Sequence, residues 1–410
     1  MIPRNLYIIF GLAVMIKLLS GFFLNAYNEP QIFEYEIIAN NMLSGKGFLY
    51  NFYGVEYRAF VQPLYPVFTA IIYYLTNHSQ VTMLAIQSIV SSLLCFIIYF
   101  IAIRFTGKKE ALLAAALVAF HPGLAVYSVL KLHTLVFDVF FYLLTVSLIF
   151  RFIERPGTRN AILLGAFTGL TLLSRSTILF FVILCLAYSL FLLRHIKINT
   201  RIKYLSIILL AAFVVYSPWI IRNYMVFKSV VFTQTSSGEN LWSGNNKAAS
   251  GSAILASGRS IHTKMPQEMR EDLRNLNELG QVKYYKNYFV NFVRKNPLLF
   301  TQLFMKKFYY FFWFAPHTGI LYSRAWLYSY KLYYGIIFFL FLAGLVFALK
   351  KKSNIPTILI LLLYMLSLAF LHAIVNVDTR HRWTVEPIMI IFASIGFFRL
   401  VDFIRGKTYG

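Results

Sequence analysis

Ten long apolar runs dominate this chain and restrict what it can fold into. A run of about 20 apolar residues is long enough to cross a lipid bilayer as a helix, and a helix satisfies its own backbone polar groups there. The first run covers Leu6–Leu24, and nine more follow at about 81–104, 110–127, 133–153, 160–175, 176–194, 203–222, 331–350, 355–374 and 385–404. The pattern predicts an all-α polytopic membrane protein with about ten transmembrane helices.

The overall composition agrees with lipid as the solvent. Hydrophobic residues make up 59% of the chain and charged residues only 13%, whereas a soluble domain is about half apolar and a quarter charged. A soluble globular domain and a disordered chain are therefore excluded. The two cysteines, Cys95 and Cys185, both lie inside apolar runs, so the sequence indicates neither a disulfide framework nor a thiolate metal site.

The net charge is +24, and many of the basic residues lie in the short loops between the apolar runs. Lys and Arg collect in the short loops that would all lie on one side of the membrane, which is the pattern of cytoplasmic loops. The positions are Arg4, Arg104, Lys108, Lys109, Arg151, Arg155, Arg159, Arg194, Lys197, Arg201, Lys203, Lys350, Lys351, Lys352 and Arg405. Both termini are therefore predicted to be cytoplasmic. Because these cations are scattered between the runs, nucleic-acid binding is not expected.

This orientation divides the chain into three parts. Residues 1–222 form an N-terminal transmembrane catalytic module with a first outer loop at 26–80. Residues 223–330 form an extracytoplasmic loop and juxtamembrane segment with a polar helix at Pro266–Leu279, and residues 331–410 are C-terminal transmembrane helices. Gln62–Thr76 and Pro297–Ala315 are predicted to be amphipathic segments on the outer surface, because counting either alone as a span would place the basic loops on opposite sides.

The sequence lacks several familiar catalytic patterns. It has no phosphate-binding glycine loop followed by Lys and Ser or Thr, no paired His or Cys at metal-ligand spacing, and no Gly-x-Ser-x-Gly motif. Any chemistry must therefore use carboxylates, basic residues and histidines at the outer face.

The few acidic residues are informative because of where they lie. Glu29, Glu34 and Glu36 follow the first run, and 31–43 reads as a helix. They are either ordinary acids of an interfacial helix, or one is a partly desolvated carboxylate that acts as a general base. Asp138 lies inside an apolar run, which makes it a functional candidate or the partner of Lys131 or His133.

A third group is basic and lies at the predicted outer ends of the runs. Arginine forks match phosphate oxygens, so several of them together would suit a lipid phosphate. The alternative is interfacial anchoring beside aromatic belts. The group comprises Arg58, Arg175, Arg222, Arg380 and Arg382.

Three motif stretches carry a family resemblance. The first contains Glu34-Tyr35, Asn41, Gly45-x-Gly47-Phe48, Tyr57-Arg58 and Pro63-Leu64-Tyr65-Pro66; the second contains Ser217-Pro218-Trp219-x-x-Arg222-Asn223-Tyr224, Gly238-x-Asn240-Leu241 and Gly244-Asn245-Asn246; the third is Asp378-x-Arg380-His381-Arg382-x-x-x-Glu386-Pro387. Leu173-Ser174-Arg175 also fits. In order and spacing they resemble the GT-C class of membrane glycosyltransferases, with the bacterial protein O-mannosyltransferase and aminoarabinose-transferase superfamily as the nearest relatives.

The resemblance implies a GT-C bundle with outer juxtamembrane helices that transfers a sugar from a polyprenyl phosphate by an inverting mechanism, with neither cofactor nor metal. Relatives often carry an Asp where this chain has Gln31, so the base is assigned to Glu34, with Glu36 second. They also often carry an acid where this chain has His133, which is counted with the catalytic residues. The resemblance further implies a lipid-phosphate group of Arg58, Lys131, Arg175, Arg380 and Arg382, and a sugar or acceptor pocket of Tyr35, Tyr65, Asp138, Asn240, Asn245 and Asn246.

The resemblance also gives the setting. The acceptor would be a hydroxyl on a lipid, a protein or a wall polymer, and the active site would face outward from the bacterial inner membrane. Two other functions stay open from the sequence: a non-catalytic carrier or flippase for a lipid-linked saccharide, and an assembly subunit of an envelope-polymer system.

Overall fold

The computed structural model of the protein describes residues 2–255, 257–315 and 323–406. Parts of the predicted segments 223–330 and 331–410 therefore lie outside the described residues. The helices are α1 (Arg4–Phe23), α2 (Glu34–Leu43), α3 (Leu64–Leu75), α4 (Gln80–Ala102), α5 (Lys108–Ala119), α6 (Pro122–Leu130), α7 (Leu135–Glu154), α8 (Thr158–Ser174), α9 (Leu179–Leu192), α10 (Ile198–Phe227), α11 (Ser237–Gly244), α12 (Gln267–Arg274), α13 (Glu278–Lys295), α14 (Pro297–Phe312), α15 (Arg324–Lys350), α16 (Ile355–Ile374), α17 (Thr379–Arg382) and α18 (Glu386–Ile404). Short 3-10 turns occur at Ser176–Ile178, Ile261–Lys264 and Lys352–Asn354.

All ten predicted apolar runs are helical. Eight helical segments in the described part of the chain are long and apolar enough to cross a membrane: α1, α4, α5 with α6, α7, α10, α15, α16 and α18. The remaining two runs form α8, which has 17 residues, and the shorter apolar segment Ser176–Leu192. The predicted all-α membrane fold is confirmed, and the chain is a multi-pass membrane protein.

The two ends of the bundle differ in what covers them. At one end the connecting loops are short and basic, and they touch one another: the Arg104 Nε donates to Glu154 Oε1 over 2.6 Å, and the Asn354 Nδ2 donates to the Phe105 carbonyl over 3.2 Å. At the other end, segments 24–79, 228–255 and 257–315 cover the helices. We call this second end the capped end.

Close helix packing inside the bundle depends on glycine. α15 and α18 approach so closely that a Cβ atom at Gly344 would lie 1.8 Å from the Phe392 carbonyl oxygen, and one at Gly396 would lie 2.2 Å from the Leu340 carbonyl oxygen. Small residues allow such backbone contact between membrane helices. This contact anchors α18, whose first residues belong to the third motif.

The first covering segment differs in detail from the prediction. The helix expected at 31–43 begins only at Glu34, because Gln31 forms a parallel bridge with Lys131. A small antiparallel hairpin that was not predicted follows, with β1 (Tyr50–Phe52) paired to β2 (Val55–Tyr57). Its two turn residues, Tyr53 and Gly54, both have positive φ angles, 50° and 85°, as a tight hairpin turn requires.

The second covering segment also follows the prediction only in part. The polar helix expected at Pro266–Leu279 is interrupted: α12 ends at Arg274, and a new helix begins after Asn277, whose side chain accepts from the Gly280 N–H over 2.9 Å. Asparagine is a strong N-cap residue, which explains the break. The amphipathic segments expected at 62–76 and 297–315 form α3 and α14.

Candidate active site

The centre of the capped end is an aromatic box around His133. The imidazole ring is nearly fully buried, and three aromatic rings meet it edge-on at centroid distances of 5.0 to 5.1 Å: Phe33, Tyr35 and Tyr127. Tyr35 also meets the ring of Tyr65 at 5.4 Å. The structure therefore brings together three residues predicted for the site, Tyr35, Tyr65 and His133.

His133 is held between two hydrogen-bond donors. Its Nδ1 atom accepts from the Leu135 N–H over 3.0 Å, and its Nε2 atom lies 3.2 Å from the Arg380 guanidinium nitrogen Nη1. Burial, followed by the charges of Arg380, Arg175 and Lys131, moves the pKa of His133 well below its usual value. A proton on the ring would place N–H groups against these donors, so the imidazole is neutral.

Arg380 carries the charge that faces this box. Its Nε atom lies 3.4 Å from Asp378 Oδ2. Burial opposes the charge, but four neighbouring groups outweigh it and raise the pKa of the guanidinium: Tyr127, Asp378, Tyr35 and Glu34. The arginine is therefore a permanent cation within electrostatic reach of the Glu34 carboxylate.

Lys131 brings a second cation to the same place. Its ammonium lies 4.6 Å from the centroid of the Tyr127 ring and 5.7 Å from that of Phe33, both within the range of a cation–π contact. Burial, with a further contribution from Arg380, lowers the pKa of Lys131. Burial disfavours the charged form of this lysine, and a nearby anion would favour it.

Gln87 on α4, which belongs to none of the three sequence motifs, holds the segment Lys131–His133 in place. Its side-chain nitrogen donates to the Lys131 carbonyl over 2.8 Å, and its side-chain oxygen accepts from the His133 N–H over 3.4 Å and from the Tyr65 hydroxyl. The signal in the sequence for this role was a glutamine inside an apolar run. The structure buries Gln87 fully, and buried polar groups in a membrane protein need hydrogen-bond partners.

Arg175 is paired with Asp138. The Arg175 Nη1 atom lies 3.2 Å from Asp138 Oδ2, and the guanidinium keeps 24% exposure while the carboxylate is buried. Asp138 Oδ1 also accepts from the hydroxyls of Thr134 (3.0 Å) and Ser174 (2.6 Å). The acid is therefore a partner of Arg175, and not of Lys131 or His133, because the α8 end brings Ser174 and Arg175 over it.

The two predicted base candidates have different surroundings. The half-buried Glu34 makes no hydrogen bond or ion pair with any of the described residues. Glu36 is buried, and its Oε1 atom accepts from the Tyr73 hydroxyl over 2.9 Å and from the Gln80 side chain over 2.6 Å. Glu36 thus joins α2 to α3 and α4, whereas the Glu34 carboxylate has no such partner among the described residues.

Arg382 lies in a separate, fully buried network. Its Nε atom is 2.7 Å from Glu386 Oε1, the Tyr334 ring centroid lies 3.6 Å from its guanidinium carbon, and the second Glu386 oxygen lies 2.5 Å from His121 Nε2. The Tyr330 hydroxyl accepts from Arg382 Nη2 over 2.9 Å. These protein groups already satisfy the guanidinium of Arg382, one of the residues predicted to bind a lipid phosphate.

Arg58 faces another region. Its side chain is 52% exposed and lies 3.8 Å from Glu56. Its backbone N–H donates to Glu278 Oε2 over 2.6 Å, and its carbonyl accepts from Arg222 over 2.6 Å. Burial raises the pKa of Glu278, a residue outside the predicted set that clasps the hairpin to α13.

The predicted asparagines form a structural clamp. The side-chain nitrogen of Asn245 donates to the Ile374 carbonyl over 2.8 Å, the Asn240 oxygen accepts from Asn376 over 3.0 Å, and Asn246 Nδ2 donates to the Trp242 carbonyl over 2.9 Å. The fully buried Lys307 ammonium donates to Asn245 Oδ1 over 2.7 Å, and burial lowers the pKa of Lys307 to about 7. These contacts fasten α11 and α14 to the end of α16.

No group of three or more His, Cys, Asp or Glu residues within the described residues is arranged to hold a metal ion. The cations that act on the His133 ring are Arg380, Arg175 and Lys131.

Two comparisons with known proteins bear on this geometry. Residues 61–221 match the family model described as dolichyl-phosphate-mannose-protein mannosyltransferase. The fold also matches solved structures of the oligosaccharyltransferase from Archaeoglobus fulgidus. The chain has the GT-C fold. The fold implied by the motif resemblance is thereby confirmed, and residues 61–221 are similar to the matched family.

The structural matches to the GT-C fold are extensive but distant in sequence. The apo oligosaccharyltransferase has a TM-score of 0.58 at 14% identity, over 99% of this chain and 52% of that one. The same enzyme with an inhibitory peptide and a dolichol-phosphate has a TM-score of 0.52 at 13% identity, over 98% and 52%. The form tethered to an acceptor peptide has 0.55 at 15% identity, over 98% and 51%.

The chain spans about half the length of these oligosaccharyltransferases. Among curated proteins, no match was found.

Proposed function

We propose that this protein is an inverting glycosyltransferase that moves a sugar from a polyprenyl-phosphate donor to an acceptor hydroxyl. The observation that carries the proposal is the unpartnered Glu34 carboxylate beside the cations at the capped end. Tyr35 is within electrostatic range of Glu34, Arg175 and Arg380, so the carboxylate and both guanidiniums act on one tyrosine.

The cations suit a departing lipid phosphate. Arg380, Lys131 and Arg175 all act electrostatically on His133. The carboxylates of Asp378 and Asp138 pair with the guanidiniums of Arg380 and Arg175 and orient them. Charge that develops on the phosphate oxygen as the sugar–oxygen bond breaks is stabilised by such preorganised donors. Because arginine and lysine neutralise that charge, the proposed reaction needs neither a metal ion nor a cofactor.

The carboxylate suits the other half of the reaction. The acceptor hydroxyl oxygen forms a bond to the sugar C1 atom, the bond from C1 to the phosphate oxygen breaks, and Glu34 takes the hydroxyl proton. The products are the glycosylated acceptor and free polyprenyl phosphate. Attack from the face opposite the leaving group inverts C1. A positioned base contributes about 10²- to 10⁴-fold to such a step.

His133 has a positioning role in this proposal. A neutral imidazole that accepts from two donors cannot act as a general acid at neutral pH. Its Nε2 atom can instead hold the Arg380 guanidinium in position. The aromatic box fixes the ring, and the ring fixes the guanidinium. Tyr35, Tyr65 and Asp138 support the same arrangement.

Two findings support the donor class. The matched family model is named for a dolichyl-phosphate-mannose donor, and one matched oligosaccharyltransferase structure holds a dolichol-phosphate. We place the protein in the bacterial inner membrane with both termini cytoplasmic, because the basic loops lie opposite the capped end. The acceptor would be a lipid, a protein or a wall polymer, and nucleic acid is not a partner.

The test is turnover of labelled polyprenyl-phosphate sugars by the purified protein in liposomes, with a panel of sugars. Release of free polyprenyl phosphate supports the proposal. Tight donor binding without release, in the presence of an extract that supplies acceptors, contradicts it and favours the carrier function.

Replacing Arg380 by glutamine tests the phosphate group. We expect a fall in kcat of about 10²- to 10³-fold, as when one preorganised donor to a developing charge is lost, with a smaller change in KM. The matched control is Arg294→Gln, since Arg294 is an exposed cation of α13. Single-turnover kinetics separate the two parameters, and an unchanged kcat for Arg380→Gln would remove this residue from the mechanism.

A further inference from the structure

A cavity of about 410 Å³ lies outside the site described above. It opens between the β1–β2 hairpin and the segment that runs from Ser260 to Tyr285. Its volume is in the range of small-molecule sites. The walls are held in place by buried polar contacts, since the Tyr57 hydroxyl bonds Gln281 and Glu278 binds the Arg58 and Ala59 N–H groups.

One wall of the cavity is aromatic. Phe52, Tyr53 and Tyr285 line it, and the His262 ring lies 5.0 Å from the Tyr53 centroid and 5.3 Å from that of Trp242. Flat rings beside polar edges suit a ligand that has an apolar face and a hydroxylated rim, as a sugar ring has.

The other wall is basic. Arg270 and Arg274 line the cavity and are exposed. The Arg270 Nη2 atom donates to the His262 carbonyl over 2.9 Å, which holds it in place. Arg274 makes no hydrogen bond or ion pair with any of the residues that the structure describes. No acidic side chain lines the cavity within that part of the chain, and the nearby Glu239 carboxylate lies 3.2 Å from His262 Nε2. An anion in the cavity would meet the guanidinium groups of Arg270 and Arg274.

The cavity adjoins the proposed reaction centre through the hairpin. The Tyr50 ring stacks on that of Phe52, a cavity residue, at a centroid distance of 6.2 Å. The strand that carries both rings packs against α2, the helix that begins at Glu34. A ligand anchored on the aromatic and basic walls could extend past Tyr50 toward Glu34.

We infer that this cavity binds a sugar that carries a negative charge, either a carboxylate or a phosphate. Stacking on the aromatic wall and pairing with Arg274 would both be needed. Its role as the anchor of the acceptor rests on the proposed glycosyltransferase function, whereas binding itself does not.

The experiment titrates the full-length protein in nanodiscs without any donor, by isothermal calorimetry. The probes are glucuronate, glucose 6-phosphate, glucose and inorganic phosphate. The variants are Arg274→Gln, Tyr53→Ala and the control Lys264→Gln, an exposed cation of the same segment outside the cavity wall. The two anionic sugars distinguish a carboxylate from a phosphate ligand.

We expect glucuronate or glucose 6-phosphate to bind at least about tenfold more tightly than glucose and than inorganic phosphate. Arg274→Gln should weaken that binding by about 10- to 100-fold, the value of a charge-assisted hydrogen bond, while Lys264→Gln should not.

Equal affinity for glucose overturns the anionic part of the inference, and equal affinity for inorganic phosphate overturns the sugar part. No saturable binding of either anionic sugar, or undiminished binding in both wall variants, overturns the site. Because no donor is present, a failed donor assay leaves these results intact and removes only the acceptor role.

Discussion

Replacing Glu34 by glutamine is expected to lower sugar transfer by about 10²- to 10⁴-fold, the contribution of a positioned general base. Glutamine has the same shape but cannot accept the proton of the acceptor hydroxyl. Folding should be unchanged, since the half-buried Glu34 side chain makes no hydrogen bond or ion pair with the described residues. The measurement is release of labelled polyprenyl phosphate in liposomes, together with the thermal unfolding midpoint.

The matched control for this result is Glu29→Gln, an exposed acid of the same segment. It should retain activity. Full activity of Glu34→Gln would contradict the assignment of the base and direct attention to Glu36, Glu29 or Asp138. Loss of activity together with a lowered unfolding midpoint would mean that Glu34 is structural.

Replacing Arg382 by methionine is expected to destabilise the protein by about 3–5 kcal/mol, the cost of removing one partner from a buried ion pair. The change leaves the fully buried Glu386 carboxylate with His121 and Tyr330 as its neighbours and without its guanidinium. It also removes the donor to the Trp313 carbonyl. Reversible unfolding in mixed detergent micelles measures the free energy.

A second variant separates the pair from its individual charges. In the double variant Arg382→Met/Glu386→Leu no uncompensated carboxylate is left, so we expect a smaller loss of stability than in Arg382→Met. Arg294→Met, an exposed arginine, is the control and should be near neutral. An unchanged unfolding free energy for Arg382→Met would contradict the structural role and return Arg382 to the phosphate-binding candidates.

The candidate site could be predicted from sequence only as a set of residue types. Glu34, Lys131, His133, Arg175 and Arg380 are charged or polar residues that lie near apolar runs, where such groups are costly to bury and mark candidate functional positions. Their partners could not be predicted. Asp138 meets Arg175 and not its neighbours along the chain, because that pairing depends on how α7 and α8 pack.

Some residues of the same motif have unlike surroundings. Arg380 and Arg382 are two positions apart, yet one faces the aromatic box and the other is buried with Glu386. At roughly 100° of rotation per residue, the short helix α17 points these two side chains in nearly opposite directions. Sequence spacing places both at the capped end but does not say which one is already satisfied.

The sequence by itself determined that the chain is a helical membrane protein. The length of an apolar run decides whether it can span the bilayer, and the charge of the short loops decides its orientation; both are local properties of the sequence. It also determined where the two covering segments lie along the chain. Only the tertiary structure decided that Glu36 is tied to Tyr73 while Glu34 is not, that Gln87 holds the Lys131–His133 segment, and that the hairpin closes a cavity against Arg274. These facts depend on contacts between residues tens to hundreds of positions apart, which no local pattern encodes.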